Sequence, residues 1–313
     1  MAERYRKFNT WLRETFGETV YKVGLYGGFT CPNRDGTLGR GGCAFCNPAG
    51  SEPYALDPTS SLAAQWDRGV RHLGRRHGAR KFVAYFQDYT TTYREPARLE
   101  ALWREALALP GCVGLALCTR PDCLDAPVLD RLQAVAADTL LWVEVGVQTV
   151  NDRTLRALNR CHDQARSEAA LAELTRRGLR AVGHVVLGLP GETAADMAAT
   201  ARFLAGSGIW GAKIHNLHVV VDTPLAEEHA AGRYTPMTLA AYAGWVVDFL
   251  ERLPPEMVIH RLCGEASPRL TVAPRWSCNK MRVRWAIEQE LERRDTRQGR
   301  RYEEARGDAG ELC

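Results

Sequence analysis

Six short apolar runs, spaced so that helical stretches fit between them, constrain this chain more than any other feature. The runs lie at 19–25, 81–87, 113–119, 140–147, 180–187 and 212–221, and their length and Val, Ile, Phe and Tyr content read as β-strands. Between them, positions 61–73, 97–108, 126–136 and 167–177 carry apolar residues at three- and four-residue spacing, the period of a helix with one buried face. Such alternation demands a parallel sheet with right-handed crossovers. Runs such as AVGHVVLGL are almost continuously apolar, as expected for strands covered on both faces. Six units leave a doubly wound α/β sheet or an incomplete (β/α)6 TIM-like barrel, and in both the reactive groups belong at the carboxyl ends of the strands.

That rule makes a search list of the strand ends: Gln87 and Asp88, Thr119 and Arg120, Gln148, Gly188 to Glu192, and Asp222 with Thr223. Past residue 225 the strand rhythm is expected to stop, giving way to helices at 239–253 and 280–294 and a partly disordered polar tail from Arg297. The expected division is a helical lead-in at 1–18, a barrel at 19–225 and a helical C-terminal extension at 226–313. No apolar run approaches the ~20 residues of a membrane helix, and the charged start MAERYRKFNTWLRETFGE lacks an apolar signal core. A cytoplasmic chain without a membrane partner is therefore expected. The net charge of +4 is too small to name a partner, although 36 of the 41 basic residues are Arg, suited to bidentate phosphate contacts.

Ten cysteines in a reducing compartment argue for metal chemistry rather than a disulfide framework. Three of them, Cys31, Cys43 and Cys46, follow the first strand in CPNRDGTLGRGGCAFC with C-x11-C-x2-C spacing. The close pair can chelate one centre, and the Gly-rich loop can wrap Cys31 back to it. A structural zinc takes four protein ligands, and His72 is the next Cys or His along the chain, so an open coordination position points to chemistry. The bland alternative is three buried thiols. Cys112, Cys118 and Cys123 suggest a second cluster, but Cys118 lies inside a strand and Cys112 before it, so ordinary buried thiols are the better reading. Cys161, Cys263, Cys278 and Cys313 have no chelating spacing.

These residues resemble a known family. CPNRDGTLGRGGCAFC, YFQDYTTTY, TRPDCL, WVEVGVQT, NRCHD, HVVLGLPGET, IHRLCGE and WSCNK resemble, in order, the YtqA/YhcC group of the radical S-adenosylmethionine (SAM) superfamily. TRPD, VEVGVQ, NR-x-H and H-x5-PG also resemble the radical SAM domain of the elongator catalytic subunit, whose acetyltransferase domain is not expected to fit in 313 residues. The chain departs from the group at Tyr26, Thr91 and Cys161, where an acidic residue, Asn and Gly are usual.

The resemblance implies a partial barrel of radical SAM type and a 4Fe-4S cluster on Cys31, Cys43 and Cys46. It implies SAM chelated to the fourth iron and, with an external electron donor, cleaved to a 5′-deoxyadenosyl radical. The cofactor contacts it implies are Phe45 near the adenine and Gln87 with Tyr89 and Thr90 at the methionine amino group. Gln148 and Arg160 fall at the ribose and the carboxylate, His184 near the ribose, and Gly188 and Gly191 beside the adenine. A satisfied core histidine is the equal alternative for His184. Arg120 and Glu144 are further cofactor-binding candidates; Glu144 needs a partner if buried, and Arg120 across neighbouring strands is expected to supply it. His162, Lys213, His215 and His218 are substrate-side candidates.

Two segments are locally basic, 68–81 with six Arg or Lys and no acid, and 275–301 with nine basic and four acidic residues. Together with the elongator-like motifs they favour tRNA as substrate, at the wobble uridine. The alternatives are a radical SAM enzyme acting on a small molecule or peptide, and a non-catalytic metal-binding scaffold.

Overall fold

The computed structural model describes residues 3–47, 60–264 and 267–302. Helix α1 (Phe8–Phe16) leads into β1 (Val20–Leu25). The alternation continues through α2 (Leu62–His77), β2 (Lys81–Phe86), α3 (Pro96–Leu107), β3 (Cys112–Thr119), α4 (Ala126–Ala136) and β4 (Leu140–Gln148). Next come α5 (Asp152–Ala157), α6 (Gln164–Arg176), β5 (Arg180–Leu187), α7 (Ala194–Gly206) and β6 (Gly211–Asn216). Then follow β7 (Val219–Val220), α8 (Pro224–Ala230), α9 (Leu239–Leu250), β8 (Val258–Arg261), β9 (Thr271–Ala273) and α10 (Lys280–Arg293). Local chemistry sets the helix ends. The Ser61 hydroxyl accepts from Ala64 N at the start of α2 and left-handed Gly78 closes it, while Thr193 and Asp196 form a capping box on α7.

All neighbours in the main sheet are parallel, in the order β1-β2-β3-β4-β5-β6-β8. The seventh strand corrects the expectation that strands end near residue 225. β8 contains only four residues, too few for a periodic signal, and lies beside β6, with a bridge from Lys7 to Ile259 on its free edge. The sixth run is also shorter than expected. It breaks after Asn216, and Val219–Val220 pairs antiparallel with β9 instead.

Strand alternation sorts side chains to two faces. Leu25, Phe86, Leu117 and Ile214 face outward into the main core beneath the helices, with Trp66 and Trp103 among their partners. Each fully buried large side chain of this kind contributes about 2–3 kcal/mol. The other face is concave. Lys213 on β6 reaches the Tyr85 hydroxyl on β2 at 2.7 Å. In a flat sheet those strands would stand about 19 Å apart, four spacings of about 4.8 Å. The sheet is therefore curled into a half-barrel. α1 closes the amino-terminal end of its lumen with an aromatic floor, where Phe8 stacks on His260 at 4.1 Å and meets Trp142 edge-on at 5.4 Å.

The first six residues of the tail are held against the fold. Residues 297–302 are placed, because the buried Gln298 donates from Nε2 to Pro254 O (2.6 Å) and Met257 O (2.8 Å) and accepts from Arg6 N at 3.0 Å. Cys313 and the rest of the tail beyond Tyr302 lie outside the described residues.

Gln298→Ala should thus cost about 2–3 kcal/mol, since it strands buried backbone groups; denaturant unfolding showing less than about 0.5 kcal/mol would contradict this docking. A second prediction concerns Glu192, before α7. Burial raises its pKa from 4.5 to about 7, with the Thr149 and Thr154 hydroxyls working against that shift. The folded state thus holds this proton more tightly than the unfolded chain. The stability tied to it is full below pH 4.5 and is lost as pH rises through about 7. Glu192→Gln lacks that loss, so unfolding midpoints should favour the variant over the parent at pH 8 by more than at pH 5. A gap independent of pH would refute the assignment.

Candidate functional site

The loop after β1 folds back over the strand ends. Left-handed Gly41 and Gly42 turn the chain into Cys43, with φ of 80° and 82°. Asn33, fully buried, ties this loop to the NRCHD turn that follows α5. Its Nδ2 donates to Asn159 O and, at 3.6 Å, to Cys43 Sγ, while Asn159 Nδ2 donates back to Gly42 O at 2.8 Å. Ala44 N adds a bond to Leu158 O at 3.0 Å.

Cys43 is the electrostatic focus of the loop. A hydrogen bond from Cys46 pulls the Cys43 thiol well below its usual range, with Arg160 and Arg120 adding positive charge, and pushes Cys46 above it. Arg160 Nη1 lies 3.2 Å from Cys43 Sγ. Cys31 is buried nearby, and both Cys31 and Cys43 act on the Arg120 guanidinium. Among the described residues no three His, Cys, Asp or Glu side chains come close enough to ligate one metal ion. A polynuclear cluster instead takes its thiolates on separate irons.

Several strand-end residues gather around these thiols. Arg120 follows β3 and donates to both oxygens of Asp122, at 2.8 and 2.7 Å, and to Arg160 O at 2.7 Å. Arg160 Nη2 donates to Gly146 O at 2.8 Å. A Cβ on Gly146 would stand 2.9 Å from Gln148 Nε2 and 3.2 Å from Arg160 Nη2, so the bare glycine is what lets the amide and the guanidinium converge. Gln148 itself is held at φ 68° after a register shift in β4. Thr90, buried, donates its N–H to Thr30 O at 3.1 Å beside Cys31, and Gln87 sits half-buried just after β2. Four buried polar atoms here have no partner: Thr90 Oγ1, Arg120 Nη1, Gln148 Oε1 and Arg160 Nε. Each such orphan costs about 1–3 kcal/mol unless a ligand meets it. These donors, with Gln148 Oε1 as an acceptor among them, fit a charged, polar cofactor beside the thiolates.

A second wall is apolar. Phe45 packs into a cluster with Leu158, Val186, Leu189 and Leu217. Leu189 lies in GLPGET, whose Gly188 (φ 83°) and Gly191 (φ 76°) are both left-handed; a Cβ on Gly188 would meet Met237 Sδ at 2.8 Å. Cys161 is left-handed too, at φ 57°, with Sγ 3.0 Å from Asn33 Oδ1. The backbone thus wants glycine at the position where the resembled family usually has one. His162 is half-buried with Nε2 unpartnered, and burial followed by the Arg160 charge lowers its pKa to about 4.

Glu144 and His184 lie deeper, in the lumen. The expected Glu144–Arg120 pair does not form, because Arg120 has turned up past the end of β3 to Asp122. Glu144 instead meets Lys213 Nζ at 2.6 Å and Lys22 Nζ at 3.4 Å, with Tyr85 donating at 2.9 Å and the Trp142 indole at 3.2 Å. The His184 ring packs on His215 with centroids 4.0 Å apart, and His218 is held by Ser277 and Asn216. Cys118 lies 3.2 Å from Glu144 Oε2, six residues along β3 from Cys112, and Cys123 sits in the turn after Arg120, so these thiols do not form a set. Glu265, in the IHRLCGE motif, lies outside the described residues. Sequence reasoning missed Asn33, Lys22 and Tyr85. The Lys and Tyr could have been found by their two-residue alternation on the concave side of β1 and β2.

Comparison with known proteins agrees with this architecture. Residues 31–204 match the radical SAM superfamily and 209–293 the radical SAM C-terminal domain. The chain is 40% identical to YtqA of Bacillus subtilis (strain 168), covering 96% of this chain and 94% of that protein. It is 37% identical to YhcC of Escherichia coli (strain K12), covering 90% and 89%. Its fold is similar to that of archaeal Methanocaldococcus infernus Elp3 with an N-terminal deletion, with a TM-score of 0.68 at 17% identity, over 89% of this chain and 64% of that one. Matches of this extent establish that the chain belongs to the radical SAM superfamily, whose members bind a 4Fe-4S cluster and S-adenosylmethionine.

Proposed function

We propose that this radical SAM enzyme modifies tRNA at the wobble uridine. Cys31, Cys43 and Cys46 would hold the cluster, with Arg160 and Asn33 stabilising the Cys43 thiolate. When bound, cluster and SAM supply a 5′-deoxyadenosyl radical through one-electron reductive cleavage, with the electron coming from an external donor. The Arg160 guanidinium suits the SAM carboxylate and Gln148 a ribose hydroxyl, each having an unpartnered polar atom to offer. Thr90, with Gln87 and Tyr89, suits the amino group. Phe45 and the Gly188–Gly191 turn suit the adenine, and the buried Arg120 holds Arg160 through its carbonyl.

The RNA reading rests on α2. Arg68, Arg71, His72, Arg75 and Arg76 stand together on one exposed face of α2, and among the described residues none of these arginines pairs with a carboxylate. The second basic segment behaves differently. Arg293 is paired with Glu290 at 2.7 Å, Arg294 with Asp248 at 2.8 Å and Arg301 with Glu251 at 2.7 Å. Guanidinium groups left without acids suit phosphates, whereas those in ion pairs are already satisfied. The tRNA uridine(34) acetyltransferase of Dehalococcoides mccartyi (strain CBDB1) is also similar, 29% identical over 48% of this chain and 33% of that protein.

Anaerobically reconstituted protein should be brown, form 5′-deoxyadenosine with a strong reductant, and form it faster with bulk tRNA; Cys43→Ser should abolish formation in both. Replacing Arg71, Arg75 and Arg76 by Ala should lower the log–log salt slope of tRNA binding by about 3, at about 0.9 per lost phosphate contact. Deleting the gene should remove one modified nucleoside from bulk tRNA. An unchanged nucleoside profile together with an unchanged salt slope would overturn the tRNA reading and favour a small-molecule or peptide substrate.

A further inference from the structure

Far from the rim chemistry, helix α10 carries a stripe that the radical SAM reading does not use. Its buried side, Val283, Ile287 and Leu291, packs into the main core beside α9. At 3.6 residues per turn, Met281, Arg282, Trp285, Gln289 and Glu292 fall on the opposite side, and all five are exposed. Trp285, 63% accessible, and Met281, 59%, are the two most exposed large apolar side chains among the described residues. The flanking charges of α10 are matched within the helix, Arg284 with Glu288 at 3.7 Å and Arg293 with Glu290 at 2.7 Å. Arg282 and Glu292 are not: among the described residues neither takes part in an ion pair, and Glu292 only accepts from the Gln289 amide at 3.1 Å.

These two charges are placed the wrong way round for a helix on its own. Arg282, in the first turn, meets the positive end of the helix dipole, and Glu292, in the last, meets the negative end. The same placement is right for a second copy of α10 lying antiparallel. With a two-fold axis at the level of Ile287, Arg282 faces Glu292 of the other copy, since each is five residues from that level. Trp285 faces Gln289 in the same way, each two residues from it. At a helix separation of about 8–10 Å a long Arg side chain reaches a Glu across the contact. The stripe is thus its own complement in charge and in position, which is what a two-fold interface requires.

We propose that the chain forms a two-fold homodimer in which α10 packs antiparallel against α10 of a second copy. The two Trp285 rings lose water on either side of the axis, and an Arg282–Glu292 pair closes each end. One helix on one helix is a small contact, so the dimer is weak and depends on concentration. The helix runs from the rim, where the preceding Trp276 donates to Met237 O beside Gly188, to the floor end, where Asp295 meets Arg4 at 3.2 Å. Antiparallel packing therefore points the two rims to opposite ends of the dimer.

The test is sedimentation equilibrium of the full chain over a wide concentration range. The parent should show a reversible monomer–dimer equilibrium. Arg282→Glu and Glu292→Arg should each weaken it at least about tenfold, because each sets like charges opposite one another at both ends. An equimolar mixture of the two variants should dimerise to within about threefold of the parent, since every facing pair is again opposite in sign. Trp285→Ala should weaken the dimer about tenfold as well. Arg282→Glu puts an acid in the first turn, where the dipole favours it, so its thermal unfolding midpoint should not fall while its dimer is lost. A parent that stays monomeric at every concentration overturns the proposal, whether the chain beyond Tyr302 or bulk tRNA then proves to cover Trp285. A dimer indifferent to both charge reversals, or a mixture of the two variants that stays monomeric, overturns it equally.

Discussion

Glu144 has no accessible surface and is nevertheless held ionised. Desolvation opposes its charge, and Lys213 and then Lys22 outweigh that, placing its carboxyl well below the usual range. A carboxylate in a protein interior costs several kcal/mol unless paired, and stripping one partner from a buried pair costs about 3–5 kcal/mol. The partners of Glu144 come from β1, β2, β3, β4 and β6, with the Tyr85 hydroxyl shared between Lys213 and Glu144. Their side chains reach one another only when the sheet is curled, so the same contact that neutralises the carboxylate fixes the curvature. Curvature in turn brings the ends of β2, β3, β4 and β5 toward one rim.

The rim is finished by two irregular segments that could not hold their shape separately. The loop carrying Cys31, Cys43 and Cys46 has little regular structure, and its backbone groups are met largely by its own turns and by the 158–160 segment through Asn33, Asn159 and Ala44. Arg160, at the end of that segment, bonds to both Cys43 Sγ and Gly146 O. One guanidinium therefore joins the thiolate loop to β4. The strained backbone at Gln148, Cys161 and Tyr89, all at positive φ, clusters at this junction, as expected where function outranks local comfort.

Much of this architecture was legible because helices and covered strands announce themselves by period and apolar run length. Expected helix 126–136 coincides with α4, and strand 180–187 with β5. What escaped had no local signal. β8 is four residues long after two prolines and is a strand only because β6 leaves an edge open and α1 packs beside it. Gln298 looks like part of a polar tail, yet three long-range hydrogen bonds pin it. The partner of Glu144 was misread because adjacency of strands was weighed without the sheet's curl. Lys213, two strands away, lies closer in space than Arg120 does. The thiolate spacing was legible, whereas Asn33, which fastens the loop, is an ordinary loop residue until its contacts are known.

Cations are distributed through three depths of this molecule, and their partners separate structure from function better than their number does. At the surface, the arginines of 293–301 named above are matched by acids of α9, of its C-terminal cap and of α10, which stabilises the extension and leaves little for a ligand. Among the described residues Arg68, Arg71, Arg75 and Arg76 of α2 have no such match. At the rim, Asp122 satisfies two nitrogens of Arg120 and leaves Nη1 bare. In the lumen, Glu144 takes Lys213 fully and Lys22 loosely. In the lumen the cations are spent on holding the fold, whereas the rim leaves buried polar atoms of Arg120 and Arg160 without a partner. Since an orphaned buried donor is a cost that folding does not recover by itself, its persistence at neighbouring positions is best understood as the imprint of ligands that recover it.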